Sequence, residues 1–354
     1  FFKQKTAYEI STRDWSSDVC SSDLGTEYEE CRGVKQLSFS DAEYGMKRKR
    51  TRREVFLSEM ERAVPWLELE TLIEAHYPKA GNGRPPYSLS VMLRIHCLQQ
   101  WYGLSDPAME EALYEIASMR RFAGLSLSRG ALPDETTILN FRHLLERHDL
   151  AGRVFEVING HLQSKGLLLR QGTIVDATIV SAPSSTKNET GRRDPEMHQT
   201  RKGNQWYFGM KAHVGVDAES GLVHTMVGTA ANVADVTQAH DLLHGKETVA
   251  FGDAGYAGVA NRPERKRAID WHVAMKPGKR RRLGKTRLGR LQDKIEHLKA
   301  RVRARGEHAF RVVKRQFGHV KVRYRGLAKN TAQLHMLFAL ANIWMVRGKL
   351  IAMG

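Results

Sequence analysis

The chain has 354 residues, enough for two domains, and its 41 % hydrophobic content permits a packed core and excludes a wholly disordered chain. With 56 Lys and Arg against 39 Asp and Glu, its formal charge of +17 points to a polyanionic partner, nucleic acid first, rather than to a fold. Cys20, Cys31 and Cys97 form no CxxC pair, which argues against a disulfide framework or a thiolate zinc site and suits a reducing cytoplasm. No run approaches ~18 consecutive apolar residues, so no membrane span is expected.

In chain order, residues 1–24 resemble a translated sequencing-library adapter, and 25–33 read as upstream sequence. Residues 1–33 are therefore set aside as non-native. A basic run, "KRKRTRR", follows, with Arg48, Lys49, Arg50, Arg52 and Arg53, and opens the helical pattern "TRREVFLSEMERAVPW". In "SLSVMLRIHCLQQWYGL" the apolar residues Val91, Ile95, Leu98 and Tyr102 recur at helical spacing. Asp106 before Pro107 predicts an N-cap and first turn for the next helix, and Asp134 predicts a cap for one that buries Ile138, Phe141 and Leu145. Residues 34–165 thus form an all-α region, a candidate for DNA binding or dimerisation. Its helices at 88–118 suggest a helix-turn-helix-like reader or, equally, a dimerisation layer.

From about residue 170 the period changes. "TIVDATIV", "KAHVGVDAESGLVHTMVG", "TVAFGDAG" and "WHVAMK" predict strands, the second a hairpin turning at "AESG". Helical patterns return at 232–243, around 287–317 and at 330–349, the last a buried core helix capped by Asn330 or Thr331. The polar stretches 184–205 and 276–290 predict exposed loops. Residues 166–354 therefore predict an α/β domain, a mixed sheet flanked by helices.

Asp176 lies inside a β-branched run, where a lone buried carboxylate is costly or neutralised. Asp253 ends another apolar strand, beside Gly255 and Gly258. Read as one helix, "LKARVRARGEHAFRVVKRQFG" sets Arg303, Glu307 and Lys314 within about 40° of one face, with Val302, Ala309, Val313 and Phe317 as a docking stripe. Two Asp and one Glu suit divalent cations with oxygen ligands, such as a pair of Mg²⁺ ions in phosphodiester chemistry. An edge-strand Asp facing water is the bland alternative; three acids in this arrangement on a basic chain outweigh it.

The stretches "TIVDATIVSAPSSTKN", "DPEMHQTRKGNQWYFGMKAHVGVDAESGLVHT", "GTAANVADVTQAHDLLHG", "FGDAGYAG" and "RGEHAFRVVKRQFGHVKVRYRGLAKN" resemble, in order, bacterial DDE transposases of the insertion-sequence-five family. "NGRPPYSLSVMLRIHCLQQWYGLSDPAMEEALYEI" is similar to their N-terminal region. The resemblance implies a ribonuclease H-like catalytic domain in which Asp176, Asp253 and Glu307 are the catalytic, metal-binding triad. It also implies Mg²⁺ (with Mn²⁺ as a substitute), and transposon-end and target double-stranded DNA as partners. Ala300 stands where relatives can carry a Tyr, without disturbing the Arg303–Glu307–Lys314 spacing. Two other classes stay open: a ribonuclease H-like nuclease without strand transfer, and an inactive DNA-binding remnant of a mobile element.

Among further signals, Arg303 and Lys314 are candidate phosphate contacts beside the acids. Lys279, Arg280, Arg281 and Arg282 form a second basic cluster, whose phosphate contacts would make binding salt-dependent. Trp206, beside Lys202 and Lys211, is a minority candidate for base stacking, with plain packing the safer reading. His213 reads as structural, His240 and His244 lack a further ligand motif, and "HGKET" lacks a P-loop's glycine, so zinc and a nucleotide cofactor are not expected. The expected state is a homodimer, since two DNA ends must be joined, in a bacterial cytoplasm and on the nucleoid when bound.

Overall fold

The computed structural model describes residues 49–82, 84–188, 191–263 and 269–354; Cys20, Cys31, Arg48 and the boundary at residue 33 lie outside them. Ahead of the sheet come α1 (Arg52–Ala63), α2 (Trp66–Glu74), α3 (Leu89–Tyr102), α4 (Asp106–Glu115), α5 (Ala117–Phe122), α6 (Glu135–Arg147) and α7 (Leu150–Ser164). Their starts follow the capping chemistry of short polar side chains. Thr51 and Glu54 form a reciprocal capping box at α1. Asp134 accepts the Thr137 N–H at 2.7 Å at α6, as expected. At α4 the cap is Ser105, which accepts from Ala108, and not Asp106. Asp106, one residue inside, instead accepts from Gln99 at 2.8 Å and pairs with Arg142 at 3.0 Å.

The chain then enters β1 (Gly172–Ser181), β2 (His198–Lys202), β3 (Gln205–Asp217), β4 (Val223–Ala230), the short α8 (Asp235–Gln238), β5 (Val249–Gly252), β6 (Asp270–Val273) and α9 (Pro277–Arg280). Strand β2 falls where the sequence predicts a loop: Gly203, at φ 63°, turns a hairpin that pairs His198–Lys202 with the start of β3. The pattern at 232–243 yields just α8 and turns. The sheet runs β4–β3–β1–β5–β6, with β2 extending β3's outer edge. Neighbours β1, β3 and β4 are antiparallel, while β5 and β6 run parallel to β1. Three antiparallel strands followed by two parallel to the first is the ribonuclease H-like order.

Residues 287–317, read as one helix, are three segments. They are α10 (Arg287–Arg303), α11 (Glu307–Arg311) and a π-helical turn, Val312–Gln316. The break at 304–306 follows from a packing demand at Gly306, taken up below.

The last helix, α12 (Leu327–Met353), starts after Gly326, three residues ahead of the expected cap. Asn330 is buried in its first turn, where its amide donates to the Tyr324 and Gly326 carbonyls and its oxygen accepts from the Arg323 and Tyr324 N–H groups. By length and composition α12 could cross a membrane, yet most of its apolar window is buried inside the protein. It joins both halves: Asn342, fully buried, accepts from Val223 N–H (2.9 Å) and donates to Val223 O (2.7 Å) on β4 and to Asn159 on α7 (2.9 Å). One hydrophobic cluster runs from Leu57 through the sheet to Leu350, so the helical region and the sheet share a core.

Candidate active site

Strand alternation assigns the faces of β1. Val175 packs with Ala239, Leu242, Tyr256 and Val259 on one side. Ile174, Asp176 and Thr178 point to the other. There a Cβ on Gly306 would meet Ile174 Cγ2 at 3.2 Å and Arg303 O at 3.3 Å. The chain touches the sheet at Gly306, and Glu307 opens α11 immediately afterwards. A continuous helix would need a side chain's width at that point, which explains the break.

Asp176 is half-buried in mid-strand, and its Oδ1 accepts the Ala177 N–H at 2.8 Å. The parallel β1–β5 ladder pairs Ile174 with Phe251; carried on in the same register, it sets Asp253 level with Asp176. Asp253 caps a 3₁₀ turn, its Oδ1 accepting from Gly255 N–H at 2.8 Å. Burial pushes the Asp176 carboxyl up to about 6; the negative charges of Asp253 and Glu307 push the same way, while the Ala177 N–H and the Arg303 guanidinium oppose them. The three acids and Arg303 thus form one electrostatic group, with Glu307 exposed. Crowded carboxylates with free oxygens and a single cation nearby are a donor set that fits a divalent metal ion.

The single-face geometry expected for Arg303, Glu307 and Lys314 does not hold, because a turn and a π-helical turn separate them. Arg303 ends α10, and Lys314 reaches β1 from the π turn, donating to Thr178 Oγ1 at 2.6 Å and Ile179 O at 3.0 Å. Two of the ammonium's three donors are spent on the sheet, so Lys314 first of all fastens this segment beside Asp176. Burial, and Lys202 nearby, lower its pKa. The stripe itself is realised: Ala309, Val313 and Phe317 are buried and Val302 packs against them.

Tyr256 escaped the sequence reading. It is fully buried under the Asp253 turn, with its hydroxyl unpartnered, and a Cβ on Gly252 would sit 3.0 Å from it. The repeated glycines of "FGDAGYAG" were its visible signal. His213, opposite Ala177 on β3, faces away from Asp176 and bonds Thr229 Oγ1 at 2.8 Å.

The basic candidates fall into two places. Lys49, Arg50, Arg52 and Arg53 are exposed at the start of α1, with Arg53 over the Tyr102 ring. Lys279, Arg281 and Arg282 are exposed just after β6, and Arg280 is tied to Asp293 at 2.7 Å. Since β6 runs parallel to β5 and leaves the sheet at Asp253's end, this run flanks the edge that carries the acids. The β2–β3 hairpin projects beyond the same edge, with Trp206 exposed opposite Arg201. The helices at 88–118 fit a nucleic-acid reader poorly. Nine residues of α3 are buried, and α4 shows solvent Glu111, Tyr114 and Glu115.

His224, His244 and Glu247 bring donor atoms within 4.8 Å of one another. Their hydrogen bonds already engage most of those donors. His224 Nε2 bonds Thr173 Oγ1, which donates to Glu247 at 3.0 Å, and His244 Nδ1 accepts the Lys246 N–H at 3.2 Å. Glu247 also accepts from Gly245 N–H at 2.8 Å and from the His244 N–H, closing the loop before β5.

Two family models match the chain: a transposase DDE domain over residues 168–343 and a transposase domain (DUF772) over residues 46–144. Among solved structures, one titled "Crystal structure of the Mos1 Strand Transfer Complex" is 12 % identical, covering 70 % of this chain and 82 % of that one at a TM-score of 0.17, a likeness too slight to carry an argument.

Proposed function

We propose, from the premise that this chain belongs to the DDE transposases, that Asp176, Asp253 and Glu307 are its catalytic acids and that it cuts transposon ends and joins them to target DNA. The observation that carries this reading is the electrostatic grouping of the three carboxylates at one edge of a ribonuclease H-like sheet. The ordered motifs support assignment within the family to the insertion-sequence-five group.

Asp176 and Asp253 would hold a divalent cation between adjacent strand ends, and Glu307, exposed at the start of α11, would close the site from the opposite side. Mg²⁺, or Mn²⁺ in its place, would when bound lower the barrier to attack on a phosphodiester. The chain's own groups place the DNA. Arg303 stands beside the acids to take a phosphate oxygen, and the third donor of Lys314 faces the same strand. The run 279–282 and the 49–53 cluster neutralise flanking phosphates. Trp206, exposed on a basic hairpin, suits stacking on a base displaced at a distorted end. Water displaces the strand to leave a 3′-hydroxyl, which then attacks a target phosphodiester. Two ends joined together call for two copies of the chain, and the cytoplasm is where that DNA lies.

The test is incubation of residues 34–354 with labelled DNA bearing the ends of the encoding element, with Mg²⁺ or EDTA, beside Asp253→Ala. Metal-dependent cleavage and joining is expected. Outer-shell changes at metal sites cost ~10–100-fold, and loss of a ligand should cost more, with DNA binding retained. Cleavage without joining would leave a nuclease, and binding without cleavage a DNA-binding remnant.

A further inference from the structure

Helix α10 touches the rest of the chain along a narrow polar line. Among its described residues Gly289 and Glu296 are buried, and Glu296 accepts from Met275 N–H at 2.7 Å and Lys299 Nζ at 2.9 Å. Facing solvent are Leu288, Leu291, Ile295 and Leu298, each between 45 % and 65 % exposed. Their spacing of three, four and three, with Val302 four residues on, is the 3.5-residue repeat of a helix-pairing seam. A surface helix ordinarily turns polar residues outward, and a line of large aliphatic side chains there marks a contact surface.

The flanking residues state what can cover it. Arg287, Lys294 and Arg301 run along one side at seven-residue intervals, and Gln292 and Lys299 along the other. A second α10 laid parallel would set Lys294 against Lys299; laid antiparallel, it would set the Arg287–Lys294–Arg301 row against its own copy. Like charges across a seam disfavour both pairings. The occupant must bring acids. Residues 165–354 carry 35 Lys and Arg against 15 Asp and Glu, whereas residues 52–164 carry 12 against 15. On that acidic half α2 exposes Leu67 beside Glu68 and Glu74, and α4 exposes Tyr114 beside Glu111 and Glu115.

We infer that the α10 seam docks on the acidic helical half of a second copy of this chain. The role of that pairing rests on the transposase reading above; the contact itself does not. Because α10 ends at Arg303, four residues before Glu307, the partner would brace the segment that delivers the third acid. Pairing of copies and completion of the site are then one event.

Sedimentation velocity of the full chain without DNA, across a NaCl series, tests it. A dimer that weakens as salt rises is expected. Leu291→Asp with Leu298→Asp should give a monomer with an unchanged circular-dichroism melt. Reversal of Glu74, Glu111 and Glu115 to Lys should weaken the dimer at least tenfold, and adding Lys294→Glu and Arg301→Glu should restore it. A monomeric parent chain, or a dimer indifferent to the leucine changes, overturns the inference. So does a dimer that tightens with salt and ignores the acid reversals, which would mean α10 pairing with itself. Loss of DNA cleavage with the charge swap intact would overturn the function and leave the interface standing.

Discussion

At Gly306 a single missing side chain decides where the third acid goes. Its Cβ position lies 3.2 Å from Ile174 Cγ2 and 3.3 Å from the Arg303 carbonyl, both anchored in packed structure. Gly306→Val should push α11 off β1 and withdraw Glu307 from Asp176. The expected outcome is a fall in strand cleavage of ten-fold or more, with DNA affinity within about two-fold and a small loss of stability, typical of overpacking at ~1–3 kcal/mol. A variant with full activity would show that Gly306 does not set the position of Glu307. Asp176 was legible in sequence because a carboxylate in a β-branched run is an anomaly with few explanations. Tyr256 was not, because an aromatic beside glycines is ordinary until its burial and unpartnered hydroxyl are seen.

Among the elements, α12 does most to unite the molecule, through an amide rather than its apolar length alone. Asn342 meets both backbone groups of Val223 and the side chain of Asn159, all out of water. Asn342→Leu would keep volume and leave three polar groups unpaired. Each unsatisfied buried group costs about 1–3 kcal/mol, so the urea midpoint should drop by an amount equivalent to about 3 kcal/mol or more. A drop below 1 kcal/mol would mean that water or repacking replaces those bonds. The existence of α12 was plain from its apolar run; its start was not, because Asn330 reads as a cap and serves instead as a buried brace for residues 323–326. The π turn and the hidden strand β2 were equally out of reach. One depends on Lys314 gripping β1, the other on a hairpin whose residues are individually polar.

For the whole molecule, charge and burial set behaviour that no single element shows. Burial holds His96, His213 and His319 down at about 4 and His224 at about 3, against an ordinary value of 6.5. These imidazoles are neutral when folded and take protons readily once unfolded. Their stabilisation is complete above pH 6.5 and is lost as pH falls toward 4, at up to about 1.4 kcal/mol per pH unit for each. Asp176, held up to about 6, opposes this on one group. The melting temperature should therefore decline steeply between pH 6.5 and 4; a flat profile there would mean that these histidines are accessible in the folded chain. The separation of charge between the two halves suits a chain that grips DNA with one and its own copy with the other.

By itself the sequence determined the class of the molecule: a helical region, then a mixed sheet, with Asp176 and Asp253 placed by strand patterns that repeat every two residues. Those signals are local, since alternation and capping act over a few neighbours. Only the tertiary structure decided how Glu307 reaches the other acids, which face of β1 they share, and that a line of leucines on α10 stays in water. Each of these depends on contacts between residues far apart in the chain, where packing against the sheet overrides helical period.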